Sequence, residues 1–188
     1  MTSPRRGPRK AQEIFATTLA LLAEHGYDGL AVEAVAERSG VNKTTLYRWW
    51  PSKDALLAAA LRDSDALEFS VPDTGTLRGD LRALIGLIRD LLTRPPSAQL
   101  VTAAFAAAPR RPELGGVMQA FFADRMARER PVFERAIARG ELRADVDPVA
   151  IMDLLGGAIW FRVLLRSGEA GDGYLDELVD LVLRGTAP

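Results

Sequence analysis

The chain has 188 residues, 48% hydrophobic and 26% charged, with a formal net charge of −1 at pH 7 and no cysteine. That length can bury a proper core and that composition excludes a disordered or fibrous chain, while the missing thiols exclude disulfides, thiolate metal sites and cysteine nucleophiles. Bulk charge names no partner, but residues 1–56 carry eight Lys or Arg against six Asp or Glu, and the remainder sixteen against nineteen, so the basic excess is N-terminal.

It peaks in the first ten residues, where Arg5, Arg6, Arg9 and Lys10 stand with no acid and Pro4, Gly7 and Pro8 oppose a helix start. Residues 1–10 therefore read as a flexible basic arm. This start followed by the apolar run 15–23 mimics a secretory signal, but Gln12 and Glu13 interrupt the junction and Thr17 and Thr18 dilute the run, so the expectation is a cytoplasmic protein.

Residues 11–24 place Ala11, Ile14, Phe15, Leu19 and Leu22 at three- and four-residue steps, the pattern of a helix with one buried stripe, and Gly26 suits its C-cap. A short second helix fits 32–38, with Val32, Val35 and Ala36 inward and Gly40 turning the chain. Asn42 is placed to N-cap a third helix over 43–50, which Pro51 stops, and Ser52 to cap a fourth running to about residue 69, ahead of the Pro and Gly turn at 71–75. Helical periodicity returns over 77–93, 98–108, 113–139, 148–165 and 174–183, with Pro131 predicted to kink or divide the third of these, and no period-two strand or internal repeat is visible. The predicted fold is all-α. The apolar run 149–165 contains Asp153 and Arg162 and falls short of the roughly 20 residues of a membrane span, so no membrane partner is expected.

Two short helices joined at Ser39-Gly40-Val41-Asn42 form a unit suited to the DNA major groove, whose width of about 12 Å admits one helix. The second helix offers N-terminal side chains to base edges, which makes Lys43, Thr44 and Thr45 the candidate readers of sequence; Tyr47, Arg48 and Lys53 suit phosphates instead. A phosphate at the start of the fourth helix would meet free amides, the positive end of the helix dipole and Lys53 together. Arg5, Arg6 and Arg9 either enter an adjacent minor groove or contact phosphate, or form a plain disordered terminus.

The stretch Gly26-Tyr27 to Leu30, then Val35-Ala36-Glu37-Arg38-Ser39-Gly40-Val41-Asn42-Lys43-Thr44-Thr45-Leu46-Tyr47-Arg48-Trp49-Trp50-Pro51-Ser52-Lys53-Asp54-Ala55-Leu56, resembles the DNA-binding domain of the TetR family of transcriptional regulators over roughly residues 10–57. Residues 136–148 and the closing stretch 178–185 are similar, more loosely, to a TetR-type ligand-binding and dimerisation domain. The resemblance implies an N-terminal three-helix helix-turn-helix domain over 11–57 and a helical bundle over 58–188. It also implies a homodimer on a palindromic, double-stranded operator, usually repressing, and released when an unidentified small molecule enters the C-terminal domain. Two positions depart from the pattern. Ala31 stands where the family often has Thr or Ser, at a capping cost of about 1 kcal/mol. Trp49 stands where a smaller or more polar residue is common; it stacks on sugar, fills a crevice or packs beneath the fourth helix.

Phe105, Met118, Phe121, Phe122, Met126, Phe133 and Trp160 are candidates to line a ligand pocket, and each is equally spaced as an ordinary core residue. Arg125, Arg128 and Arg162 are the cations placed to orient an acidic ligand, or to sit in solvated ion pairs. Gly156 and Gly157, costly inside a helix, suggest close approach by another helix; with Leu164, Leu178 and Leu181 they form the candidate dimer interface, the assignment resting also on the resemblance. His25, the only histidine, suits a structural role at a helix end. No phosphate-loop, dinucleotide, nucleophile-elbow or zinc-protease pattern is present, and neither catalytic residue, metal nor cofactor is predicted. The alternatives to a ligand-released regulator are a ligand-independent dimeric DNA-binding protein and an all-helical enzyme or carrier.

Overall fold

The computed structural model describes residue 8 and residues 10–64, 70–95, 97–166 and 168–186, with backbone alone at residues 106, 107, 110, 113 and 186. Among the described residues there are nine α-helices and no strand: α1 (Ala11–Gly29), α2 (Val32–Ser39), α3 (Lys43–Trp49), α4 (Lys53–Asp63), α5 (Leu77–Thr93), α6 (Ser97–Ala107), α7 (Pro112–Ala138), α8 (Pro148–Trp160) and α9 (Asp172–Thr186). A 3-10 turn, Ala108–Arg110, precedes α7, and a π-helical turn, Phe161–Leu165, prolongs α8. The chain groups into two compact units, Met1–Glu68 with Gln99–Phe122, and Phe69–Ala98 with Ala123–Pro188.

In the first unit the apolar stripes foreseen on α1 and α2 meet in one core. Ile14, Phe15 and Leu22 of α1, Val35 of α2, Leu46 of α3 and Leu56, Leu57 and Ala60 of α4 are buried there together with Leu100 and Leu114. Phe15 meets Trp50 edge to face, ring centres 5.4 Å apart, a favoured aromatic geometry. Gly26 ends the regular part of α1 at φ 68°, and one more turn carries the chain to Leu30, whose amide donates to the carbonyls of Gly26 and Tyr27. The start of α2 has no side-chain cap, as an alanine at position 31 dictates. Helix α4 is shorter than its periodicity suggests: Ser64 is already in extended conformation, so α4 stops at Asp63, short of residue 69. Residues 65–69 lie outside the described residues.

In the second unit α5, α8 and α9 pack on one another. Thr76 caps α5 by accepting from the Gly79 amide, and Asp147 caps α8 by accepting from Val149, with Pro148 in the first turn where its missing N–H costs nothing. Helix α7 is continuous through Pro131, which therefore does not divide it. Gly140, at φ 73°, closes α7: its amide donates to Ile137 and that of Glu141 to Ala136, the paired bonds of a Schellman end. Arginines of α5 meet acids of α9, Arg78 with Asp180 (2.9 Å) and Arg82 and Arg89 both with Asp172 (2.7 Å each). The two guanidinium groups hold the Asp172 carboxyl below the usual range. Buried Asp80 accepts from the amide and hydroxyl of Thr74, with Arg135 3.7 Å from its other oxygen, fastening the segment before α5.

Candidate nucleic-acid interface

The turn between α2 and α3 is built by Gly40. At φ 63° it occupies the left-handed region that side chains resist, its amide donates to Glu37, and the Val41 amide donates to Ala36. Two residues later the Asn42 side chain accepts from the Thr44 amide at 2.8 Å and starts α3. Leu46 is the buried residue of α3. Lys43, Thr44, Tyr47, Arg48 and Trp49 are exposed and Thr45 is half-buried, so the candidate base readers and two candidate phosphate contacts share one short, accessible helix. Of the two adjacent tryptophans it is Trp50, not Trp49, that enters the core.

Lys43 pairs with Glu33 of α2 at 2.5 Å and stands 5.6 Å from the centre of the Tyr47 ring. The hydrogen bond between them raises the lysine and lowers the glutamate from their ordinary values. Lys53 opens α4, whose Ser52 cap accepts from Ala55 at 3.0 Å. Its ammonium donates to the Tyr27 carbonyl at 2.9 Å and stands 4.1 Å from the Tyr27 ring centre. One N–H of three is thus committed, which leaves two for an anion. Arg38 pairs with Glu24 at 2.7 Å, tying α2 to α1. Lys10, a member of the basic arm, donates to the Ser39 carbonyl at 3.4 Å, beside the turn. Arg5, Arg6 and Arg9 lie outside the described residues. His25 is exposed, 3.7 Å from Glu24.

The candidate pocket residues divide between the units. Phe105, Phe121 and Phe122 form an edge-to-face cluster in the first, with ring centres of Phe105 and Phe122 6.2 Å apart and of Phe121 and Phe122 5.6 Å apart. Met118 and Phe121 pack against the core of that unit. In the second, Phe133 is fully buried and Met126 and Trp160 are half-buried. Arg128 pairs with Asp124 one turn back at 2.8 Å, and Arg162 donates to the Glu169 carbonyl at 2.7 Å and stands 4.0 Å from the Tyr174 ring. The residue that sequence reasoning missed on α7 is Glu129. It is 7% exposed, and burial pushes its carboxyl up to about 7 against the pull of Arg125, whose own value burial lowers. A glutamate between Arg128 and Arg130 in the sequence reads as an ordinary surface ion pair, and only the helix phase betrays it.

The candidate dimer residues lie on α8, the π-helical turn and α9. Leu164 and Leu181 are exposed and Leu178 half-buried. Gly156 faces α5, where an added Cβ would meet Ile88 Cδ1 at an ordinary 3.6 Å, whereas Gly157 faces open space. Around them Leu154, Phe161 and Leu165 are also exposed. By length and composition alone Pro148–Leu165 could cross a bilayer, with mean hydropathy 1.6 over 18 residues, and only 28% of it is buried within the chain. Among the described residues no group of three or more His, Asp or Glu is placed to hold a metal.

A helix started by Asn42, set off by a left-handed glycine turn and presenting Lys43, Thr44, Tyr47 and Arg48 to solvent, defines a helix-turn-helix DNA-binding protein of all-α architecture. Comparison with known proteins narrows this. Residues 14–60 match the bacterial regulatory proteins, tetR family, and residues 71–182 match the tetracyclin repressor-like C-terminal domain. The chain is 35% identical over 183 residues to an uncharacterized HTH-type transcriptional regulator of Mycobacterium tuberculosis, covering 97% of this chain and 90% of that one. It is 33% identical over 180 residues to the DNA-binding transcriptional repressor TetR of Mycobacteroides abscessus, covering 95% and 94%. Among solved structures, the TetR family transcription regulator SCO0332 is similar at 33% identity, with a TM-score of 0.77 over 95% of this chain and 98% of that one. The chain belongs to the TetR family of helix-turn-helix transcriptional regulators.

Proposed function

We propose that the protein is a cytoplasmic repressor that binds a palindromic operator as a homodimer and leaves it when a small molecule binds. Residues 11–57 read DNA and residues 58–188 sense and dimerise. The observation that carries the reading is the accessible face of α3: Lys43, Thr44, Arg48, Tyr47 and Trp49 are exposed on a helix whose buried residue is Leu46. In this reading Lys43, Thr44 and Thr45 meet base edges. Tyr47, Arg48 and Lys53 hold phosphates with help from Arg5, Arg6 and Arg9 of the arm, and the amides at the start of α4 add the positive end of a helix. The relative from Mycobacteroides abscessus is named a repressor, which supports the sign of the effect.

The dimer is supported by the apolar surface that a protomer leaves uncovered. In this reading exposed Gly157, Leu164 and Leu181 and half-buried Leu178 form one stripe with the exposed Leu154, Phe161 and Leu165, while Gly156 is buried against α5. A second copy related by a two-fold axis covers such a stripe with itself and sets the two reading helices about one helical turn of DNA apart, ~34 Å. Within the second unit the candidate ligand-lining residues are Met126, Phe133 and Trp160, with Arg125 and Glu129 as polar groups on α7; Phe105, Met118, Phe121 and Phe122 are the candidates of the first unit. Release requires the ligand to favour the non-binding state, and a coupling of about 1–3 kcal/mol is typical of such switches.

The test is binding of the purified dimer to a duplex from its own upstream region and to random duplex, across a salt series. Selective binding that weakens steeply with salt is expected. Lys53→Ala should weaken both duplexes alike and make the salt slope about one unit shallower, whereas Thr44→Ala should change preference at one base step. Equal loss on both duplexes for Thr44→Ala would remove it from the base readers.

A further inference from the structure

Tyr27 stands where three separate stretches of the first unit meet. It is buried at the end of α1, its hydroxyl donates to Asp54 Oδ1, and its carbonyl accepts from Lys53. The Lys53 ammonium is 4.1 Å from its ring centre. The third stretch comes from far along the chain. Arg111, between the 3-10 turn and α7, places its guanidinium carbon 5.3 Å from the same ring centre, and its Nη2 pairs with Asp28 Oδ1. Residues 14–60, which match the DNA-binding family, contain Tyr27, Asp28, Lys53 and Asp54 but not Arg111.

A lysine carries a point charge on a flexible four-carbon stem, so its value at a phosphate depends on how well it is held beforehand. Here the carbonyl and the ring of one tyrosine hold it, and the position of that tyrosine is fixed in turn by Asp54 on its hydroxyl and by Arg111 over its ring. The arrangement is poorly explained as a device for stability: the Arg111 and Asp28 side chains are 46% and 79% exposed, and such solvated pairs contribute little. We propose that Arg111 is a positioning residue for DNA binding, holding Tyr27 so that Lys53 and the start of α4 are set for a phosphate. This rests on the assignment of Lys53 as a phosphate contact. It also makes the turn before α7 a part of the DNA head, so that a displacement of that turn is felt at Lys53.

The test is a double-mutant cycle on the full-length dimer with a random-sequence duplex, since a phosphate contact is independent of sequence. Arg111→Gln is expected to weaken binding about fivefold, or about 1 kcal/mol, with an unchanged melting temperature and oligomeric state. In a Lys53→Ala background the same change should have no further effect, and Asp28→Asn should act in the same direction as Arg111→Gln. Arg111→Gln and Lys53→Ala acting independently, each lowering the salt slope, would mean that Arg111 meets DNA directly and would overturn the proposal. So would full affinity in Arg111→Gln. If Lys53→Ala itself left binding and slope unchanged, the assignment of Lys53 would fall first and the proposal with it.

Discussion

Replacing Leu154 by alanine tests the dimer at the point where its energetics can be worked from the protomer. Leu154 is 65% exposed on α8. Complete burial of a leucine side chain stabilises by roughly 1.5–3 kcal/mol, so covering the exposed two thirds contributes about 1–2 kcal/mol per copy. A two-fold contact loses both copies at once, so Leu154→Ala should weaken dimerisation by about 2–4 kcal/mol, a rise in the dimer Kd of roughly 30- to 1,000-fold. Leu154→Glu should do more, because it places two carboxylates in the contact. Sedimentation velocity over a concentration series reads the Kd, and circular dichroism checks that the helices persist. A dimer Kd within threefold of the parent protein would refute the reasoning and place the two-fold contact elsewhere.

Two further outcomes follow from named charges. The folded protein holds the Glu129 proton more tightly than the unfolded chain does, so this group's stabilisation is fully present below the ordinary value of 4.5 and is lost as pH rises through about 7. Stability measured by denaturant unfolding should fall between pH 5 and pH 8 by at most ~3 kcal/mol more in the parent protein than in Glu129→Gln, and equal pH dependence in the two would remove Glu129 from the interior. Glu33→Gln frees Lys43 and takes a negative charge from beside α3. Affinity for random duplex should rise by about two- to fivefold at low salt and converge with the parent at high salt, while weaker binding in the variant would show that the pair holds Lys43 in its working position.

The features legible in the sequence are those fixed within a few residues. The caps at Asn42 and Ser52, the turns at Gly26 and Gly40 and the inward stripe of α1 each depend on a side chain and its near neighbours, and each stands as read. Thr76 satisfies the same rule three residues ahead of Gly79, directly after the turn at 71–75. The end of α4 is not legible in this way, because the mixed stretch after Asp63 carries helical periodicity and yet Ser64 is extended. Pro131, expected to kink or divide its helix, does not divide the 27-residue α7, which one missing donor leaves continuous. The pairs between α5 and α9 and the approach of Arg111 to Tyr27 join residues 80 or more positions apart, for which local periodicity carries no signal. The exposure of Lys43, Thr44, Tyr47 and Arg48 on α3 follows from the local pattern, while the groups that hold Lys43 and Lys53, Glu33 and Tyr27, do not.

Leu46 and the C-capping Trp50 enter the core while Lys43, Thr44, Tyr47 and Arg48 stay exposed, which separates the candidate DNA-facing side chains of α3 from those that keep it folded. Substitutions at exposed positions away from caps and cores usually change stability by no more than about 0.5 kcal/mol, and Lys43, Thr44, Tyr47 and Arg48 are such positions. In the proposed reading, in which Lys43 and Thr44 meet base edges, a lineage can therefore try many operator sequences by exchanging those two side chains without a compensating change in the core. Leu46, Gly40 and Asn42 are the places where that freedom ends.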